Sequence, residues 1–184
     1  MGDRPECSHC SRHQPSFTAA RSLGAYDGVL KEAVHRLKYR DRPQLAEPLG
    51  VALAQFARAS DISHDLLAAD LVIAVPMSPR RQRVRGYNQA GKLARVVARE
   101  LQIPLDLTSL RRVKSSRPQV GLKREARQRN LAGAFALIPE ADVTGKTIIV
   151  IDDVTTTNST IDECAKALRA AGAKAVYGLT LAAG

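Results

Sequence analysis

Asp152 and Asp153 stand where an apolar run gives way to a hydroxyl-rich stretch, in residues 147–160, TIIVIDDVTTTNST. Two adjacent carboxylates accept hydrogen bonds well and suit a vicinal diol, such as the 2′- and 3′-hydroxyls of a ribose. Thr155, Thr156, Thr157, Asn158, Ser159 and Thr160 follow, and five of these six carry hydroxyls. Backbone N–H groups, hydroxyls and a helix start near Ser159 together make a receptor for a phosphate monoester. Diol acceptors beside a phosphate cradle are what a ribose 5-phosphate requires. The competing reading is structural: a Ser/Thr-capped helix after an acid-ended strand. Strand side chains alternate in direction, so the two acids part if the strand continues. Both can turn toward one crevice where it breaks into a loop.

The basic residues are the second chemical feature. The chain of 184 residues has a net charge of +10, and residues 80–129 alone hold 15 basic and three acidic side chains. The rest of the chain is therefore slightly acidic. Such a segment draws polyanions, namely nucleic acid, an acidic surface or a phosphate-rich small molecule, or else forms a solvated basic face. Near the N-terminus, Cys7 and Cys10 have the C-x2-C spacing of half a structural zinc site, with His9 and His13 close by. Four Zn2+ ligands drawn from seven residues would be strained, which argues against a complete site there. Cys164 falls on the apolar stripe of a helix and reads as core packing. Three cysteines without a secretory signal do not make a disulfide framework.

The elements that must position these groups follow from periodicity. Residues 26–39 place Val29, Leu30, Ala33, Val34 and Leu37 at helical spacing, and residues 45–59 read as a second helix. DLVIAVPM is a short β-branched run, as in a strand buried on both faces. Residues 88–101 return to helical spacing, with Asn88 as N-cap and Tyr87 as a staple or core aromatic. QIPLDL suggests a short strand and KTIIVID a longer one. Residues 159–171 form a helix ended by Gly172, and KAVYGLTLA is the last strand. Alternating strands and helices imply an α/β fold, a mainly parallel sheet flanked by helices. In such sheets ligands bind beyond the carboxyl ends of the strands. No apolar run reaches the roughly 20 residues needed to span a bilayer, so membrane insertion is not expected and a cytoplasmic protein is. No G-x-x-x-x-G-K-[ST] occurs, which excludes a P-loop nucleotidase.

IIVIDDVTTTNST also resembles the signature that binds phosphoribosyl pyrophosphate in type I phosphoribosyltransferases. VPMSPRRQRVRGYNQA and RPQVGLKREARQRNLAGAF are similar to internal motifs of the ComF family, competence-associated phosphoribosyltransferase-like proteins that include GntX. YDGVLKEAVHRLKYRDRPQLAEPLG resembles that family's segment before the core. In family order, these segments cover nearly the whole chain. Asn158 is a departure, standing where the signature loop usually has Gly; Asn tolerates the left-handed backbone.

The resemblance implies a type I phosphoribosyltransferase-like domain over residues 23–184, preceded by an N-terminal segment, 1–22, with part of a zinc element. It implies that Asp152, Asp153 and residues 155–160 bind phosphoribosyl pyrophosphate, accompanied by Mg2+. It further implies a second loop at residues 76–81, where Ser78, Arg81 and Arg85 are the candidates for the pyrophosphate; Arg80 and Arg83 read as solvated. Residues 112–130 correspond to the loop that covers the site. There Lys114, Arg117, Lys123 and Arg127 are the candidates to stabilise departing pyrophosphate. The implied reaction moves the phosphoribosyl group to a nucleophile that no motif names. The alternative is an accessory module in DNA uptake, working with competence proteins and binding single-stranded DNA through the basic middle. Against that stands the aromatic content of 4% with no Trp, because single-strand platforms stack bases on aromatics. A nucleic-acid surface also has no use for two acids at its centre.

Overall fold

A computed structural model of the chain describes residues 14–39, 42–114 and 131–184. Five strands form one parallel sheet. They are β1 (Ala19–Ala25), β2 (Leu71–Ala74), β3 (Leu105–Asp106), β6 (Thr147–Thr155) and β7 (Ala175–Ala183), in the order β1-β7-β6-β2-β3. The central strands are almost wholly apolar and buried, as covering on both faces demands. β6 pairs on one side with β2, Ile149 opposite Val72, and on the other with β7, Val150 opposite Gly178. Edge strand β1, which no periodicity announced, pairs with β7 and runs across the 22/23 boundary expected from the sequence.

The four longer helices lie where the apolar spacing puts them, and two short ones are not announced by it. In chain order, the described helices are α1 (Gly28–Tyr39), α2 (Ala46–Ala59) after a 3-10 turn, α3 (Ser63–Leu67), α4 (Pro79–Arg85), α5 (Gln89–Leu101) and α6 (Ser159–Ala170). Ala90, Leu93, Ala94, Val97 and Leu101 of α5 all face the core, and so do Ile161, Cys164, Ala165 and Leu168 of α6. Asn88 caps α5 by accepting from Ala90 N–H at 3.1 Å. Gly172, at φ +93°, turns the chain out of α6. Val29 departs from the expected stripe: it is 88% exposed, while Val34 and Leu37 are buried and Leu30 packs against the core part-buried. A separate antiparallel pair, β4 (Leu110–Arg112) with β5 (Phe135–Leu137), brackets residues 115–130.

Two crossovers, right-handed by the rule for parallel strands, decide where a ligand can sit. From β2, α5 leads outward to β3; from β6, α6 leads the opposite way to β7. The two helices therefore cover opposite faces, and a crevice opens between the carboxyl ends of β2 and β6. That is the topological switch point of an open parallel sheet.

Candidate functional site

The crevice holds a pocket of about 400 Å³, floored by Val75, Pro76 and Met77 after β2 and by Asp152, Asp153 and Val154 of β6. Its walls bring Arg81 and Arg85 from α4, Arg112 from β4, and Lys38 and Tyr39 from the end of α1. Thr160, in the first turn of α6, completes it. Side chains from α1, α4, α5, β4, β6 and α6, with the segment after β2, are thus gathered into one volume that holds four cations and two carboxylates among the described residues.

β6 does not break at the acids. It continues to Thr155, with Asp152 opposite Thr180 and Thr155 opposite Ala183. Asp152 and Asp153 consequently leave opposite faces of the strand, yet both still border the pocket because they lie at its carboxyl end. Asp153 turns to the α1 side, where it is 3% exposed and its Oδ1 lies 2.8 Å from Lys38 Nζ. Its Oδ2 is buried with no hydrogen-bond partner among the described residues. Asp152, half-buried, faces the α6 side and accepts from Asp153 N–H at 2.9 Å. Burial and the neighbouring Asp153 push its carboxyl up to about 7, against the pull of that N–H, Lys38 and Arg112. Burial works against the Lys38 ammonium, but Asp153 and Asp152 outweigh it and hold its pKa above the ordinary value. Arg112 is lowered by burial and then by the charge of Arg81.

The turn after β6 is closed by its own side chains. Thr155 Oγ1 donates to Asn158 Oδ1 at 2.7 Å and accepts from Asn158 N–H at 2.9 Å. Asn158 adopts the left-handed backbone, φ +55°, that the loop asks of this position. Thr157 and Ser159 share a hydrogen bond of 2.6 Å between their hydroxyls, and Ser159 is buried. The free N–H groups of the first turn of α6 remain at the helix end, as in any α-helix start. Of residues 155–160, Thr160 lines the pocket, while Thr155, Thr156, Thr157, Asn158 and Ser159 shape the turn beside it.

Ser78 is the candidate that the structure moves elsewhere. Its hydroxyl accepts from Arg81 N–H at 3.4 Å as the N-cap of α4, and it is not among the residues lining the pocket. A Pro at the first helical position with a Ser before it is a helix-start signature, and that local role uses the hydroxyl. Arg81 is exposed at the pocket mouth. Arg85 donates to Gln89 Oε1 at 2.6 Å and stacks 5.1 Å over the Tyr39 ring. Arg80 and Arg83 are exposed and outside the lining. Lys114 donates to the Ala132 carbonyl at the root of the β4–β5 pair. Arg117, Lys123, Arg127, Cys7 and Cys10 lie outside the described residues. Cys164 is fully buried, and burial raises its thiol well above the ordinary value.

Lys38 and Arg112 are site residues that sequence reading passed over. Lys38 adjoins the buried stripe of an amphipathic helix and looks like a solvated neighbour of Leu37. Its partner is 115 positions away, so no local spacing marks the pair. Arg112 sits in a basic run where every residue looks alike.

A second cleft, of about 580 Å³, adjoins the pocket and shares Pro76, Met77, Asn88 and Arg112 with it. Lys92, Arg95 and Arg111 line it, and among the described residues no acidic one does. No helix among the described residues is long and apolar enough to cross a membrane.

Residues 88–184 match the family model of the phosphoribosyl transferase domain. Over 179 residues the chain is 32% identical to competence protein F of Haemophilus influenzae, covering 96% of this chain and 78% of that protein. It is 34% identical over 170 residues to the DNA utilization protein YhgH of Salmonella typhimurium, covering 92% and 74%. Among solved structures, the allosteric regulatory enzyme of purine biosynthesis superposes with a TM-score of 0.49 at 20% identity, over 79% of this chain and 29% of that one.

Proposed function

The chain belongs to the phosphoribosyl transferase domain family, within its ComF group of competence proteins, and from that premise we propose that the 400 Å³ pocket binds phosphoribosyl pyrophosphate. One observation carries the reading: the acids near the carboxyl end of β6 and the arginines that follow β2 meet at the switch point of the sheet. The 5-phosphate is held by the turn at residues 155–160 and the first N–H groups of α6. The ribose hydroxyls face Asp152. The diphosphate lies toward Arg81, Arg85 and Arg112, whose planar guanidinium groups suit phosphate oxygens.

In the transfer, the bond from ribose C1 to the diphosphate oxygen breaks and the electron pair leaves with the diphosphate. A bond from the acceptor nucleophile to C1 forms, and the acceptor's proton is lost. Cations around the leaving group stabilise its growing charge, each well-placed one by a few kcal/mol. Arg117, Lys123 and Arg127 are proposed for that task. A Mg2+ ion held by the protein does not fit the acid pair. Lys38 already occupies Asp153 Oδ1 and the two acids leave opposite faces of β6, whereas Mg2+ favours several oxygens in octahedral array. The expected Mg2+ would therefore enter on the phosphates of the ligand.

Calorimetric titration with phosphoribosyl pyrophosphate tests the reading. Asp152→Asn and Thr156→Ala are expected to weaken binding at least about tenfold, roughly 1.4 kcal/mol. Unchanged affinity in both variants, with binding abolished by salt, would point instead to general attraction by the basic surface.

A second reading is supported by the neighbouring cleft, lined by Lys92, Arg95, Arg111 and Arg112 and by no acid among the described residues. In it the protein is an accessory module in DNA uptake, its basic middle holding the phosphates of single-stranded DNA alongside competence proteins. Oligonucleotide binding that falls with salt and survives Asp152→Asn distinguishes this from the sugar-phosphate site.

A further inference from the structure

Lys38 projects from the last turn of α1 into the pocket, and the position of that turn is fixed. The Tyr87 hydroxyl donates to the Leu37 carbonyl, and Arg85 stacks on Tyr39. Lys38 Nζ lies 2.8 Å from Asp153 Oδ1, with 19% of the lysine side chain and 4% of the aspartate exposed. Asp153 Oδ1 is thus engaged by the ammonium, and an incoming molecule meets that ammonium at the same wall of the pocket. An ammonium has three donors, and Asp153 takes one of them.

Ion pairs as enclosed as this are poor sources of stability, because desolvating two charges offsets most of their attraction. A hydrophobic pair would serve the fold at least as well. The charge of the pocket explains its presence better: Lys38, Arg81, Arg85 and Arg112 surround Asp152 and Asp153, leaving an excess of positive charge at a site open to a polyanion.

We propose that Lys38 is the resident cation of the acid pair, occupying the place against Asp153 that a protein-held divalent metal would take, so that the pocket receives its sugar phosphate without such a metal. The identity of the ligand rests on the phosphoribosyl reading; the position of the ammonium does not.

Two titrations of the full chain test this, one of them free of any sugar. With Mn2+ alone, followed by its paramagnetic resonance signal, the wild type and Lys38→Arg should show no site tighter than millimolar. Lys38→Met should gain a site at least tenfold tighter, lost again when Asp153→Asn is added. With ribose 5-phosphate, wild-type affinity should change less than threefold between EDTA and Mg2+, while Lys38→Met loses at least tenfold in EDTA and regains part of it with Mg2+. Equal Mn2+ affinity in wild type and Lys38→Met overturns the proposal. So does wild-type ribose 5-phosphate binding that requires Mg2+, a result that needs no variant to fold. If ribose 5-phosphate binds to none of the proteins while the Mn2+ pattern holds, the phosphoribosyl reading falls and the resident cation stands.

Discussion

Thr155 and Asn158 hold each other across the turn that follows the central strand, the threonine hydroxyl donating to the amide oxygen and accepting from the backbone N–H. Thr155→Val leaves both asparagine groups without that partner and is expected to cost about 1–2 kcal/mol. Asn158→Gly keeps the N–H bond and suits φ +55° better, so its stability should stay within about 0.5 kcal/mol of wild type. Urea denaturation of both variants checks the pair. A large loss in Asn158→Gly would mean that the amide oxygen, not the backbone angle, holds the turn.

Asp152 should make stability depend on pH. Burial and then Asp153 raise its carboxyl from 3.8 to about 7 in the folded chain. Between those values the folded state keeps a proton that the unfolded state has released, so stability falls as pH rises through this window and levels off above it. Asp152→Asn removes the effect. Relative to wild type it should gain on the order of 1–3 kcal/mol at pH 8 and be equal near pH 3. A difference of the same size at both pH values would mean that Asp152 does not titrate in this range.

The two arginines after β2 should separate one end of the ligand from the other. Arg81→Ala and Arg85→Ala are expected to weaken phosphoribosyl pyrophosphate at least about tenfold and ribose 5-phosphate by less than about threefold. Arg81 is exposed, so its substitution should leave thermal stability within about 0.5 kcal/mol. Equal losses for both ligands would place these side chains near the 5-phosphate instead.

Two glycines lie where helices approach closely. A Cβ at Gly178 would meet Ile161 Cγ2 at 2.8 Å and Ala20 Cβ at 3.1 Å; at Gly50 it would meet Val96 Cβ at 2.5 Å. Each alanine variant should cost about 1–3 kcal/mol through overpacking. Ile161 belongs to the first turn of α6, so Gly178→Ala alone should also weaken ribose 5-phosphate. Thermal melts paired with calorimetry separate the two. Ligand affinity lost equally in both variants would mean that overall stability, rather than the helix start, sets binding.

Much of this molecule can be read from local pattern. The amphipathic stripes of α2, α5 and α6, the β-branched runs of β2, β6 and β7, the Asn88 cap and the Gly172 exit follow from spacing of a few residues, where side-chain direction is set by the backbone period. The helical start at Ser159 belongs to the same class, whereas the left-handed turn at Asn158 is implied by the resemblance to the signature loop. β1 and the β4–β5 pair escaped because AARSLGA, LRR and FAL have too little alternation to stand out; their strands exist only through the neighbours they pair with.

The amino-acid sequence by itself determined the parallel α/β frame, the acid pair at the end of its central strand and the basic stretch, since each depends on residues close along the chain. Tertiary structure alone decided how those charges are shared. The pairing of Lys38 with Asp153, the exposure of Asp152 to the pocket and the arrival of Arg112 beside Arg81 depend on contacts between distant segments. Electrostatic energy falls with distance in space and takes no account of separation along the chain.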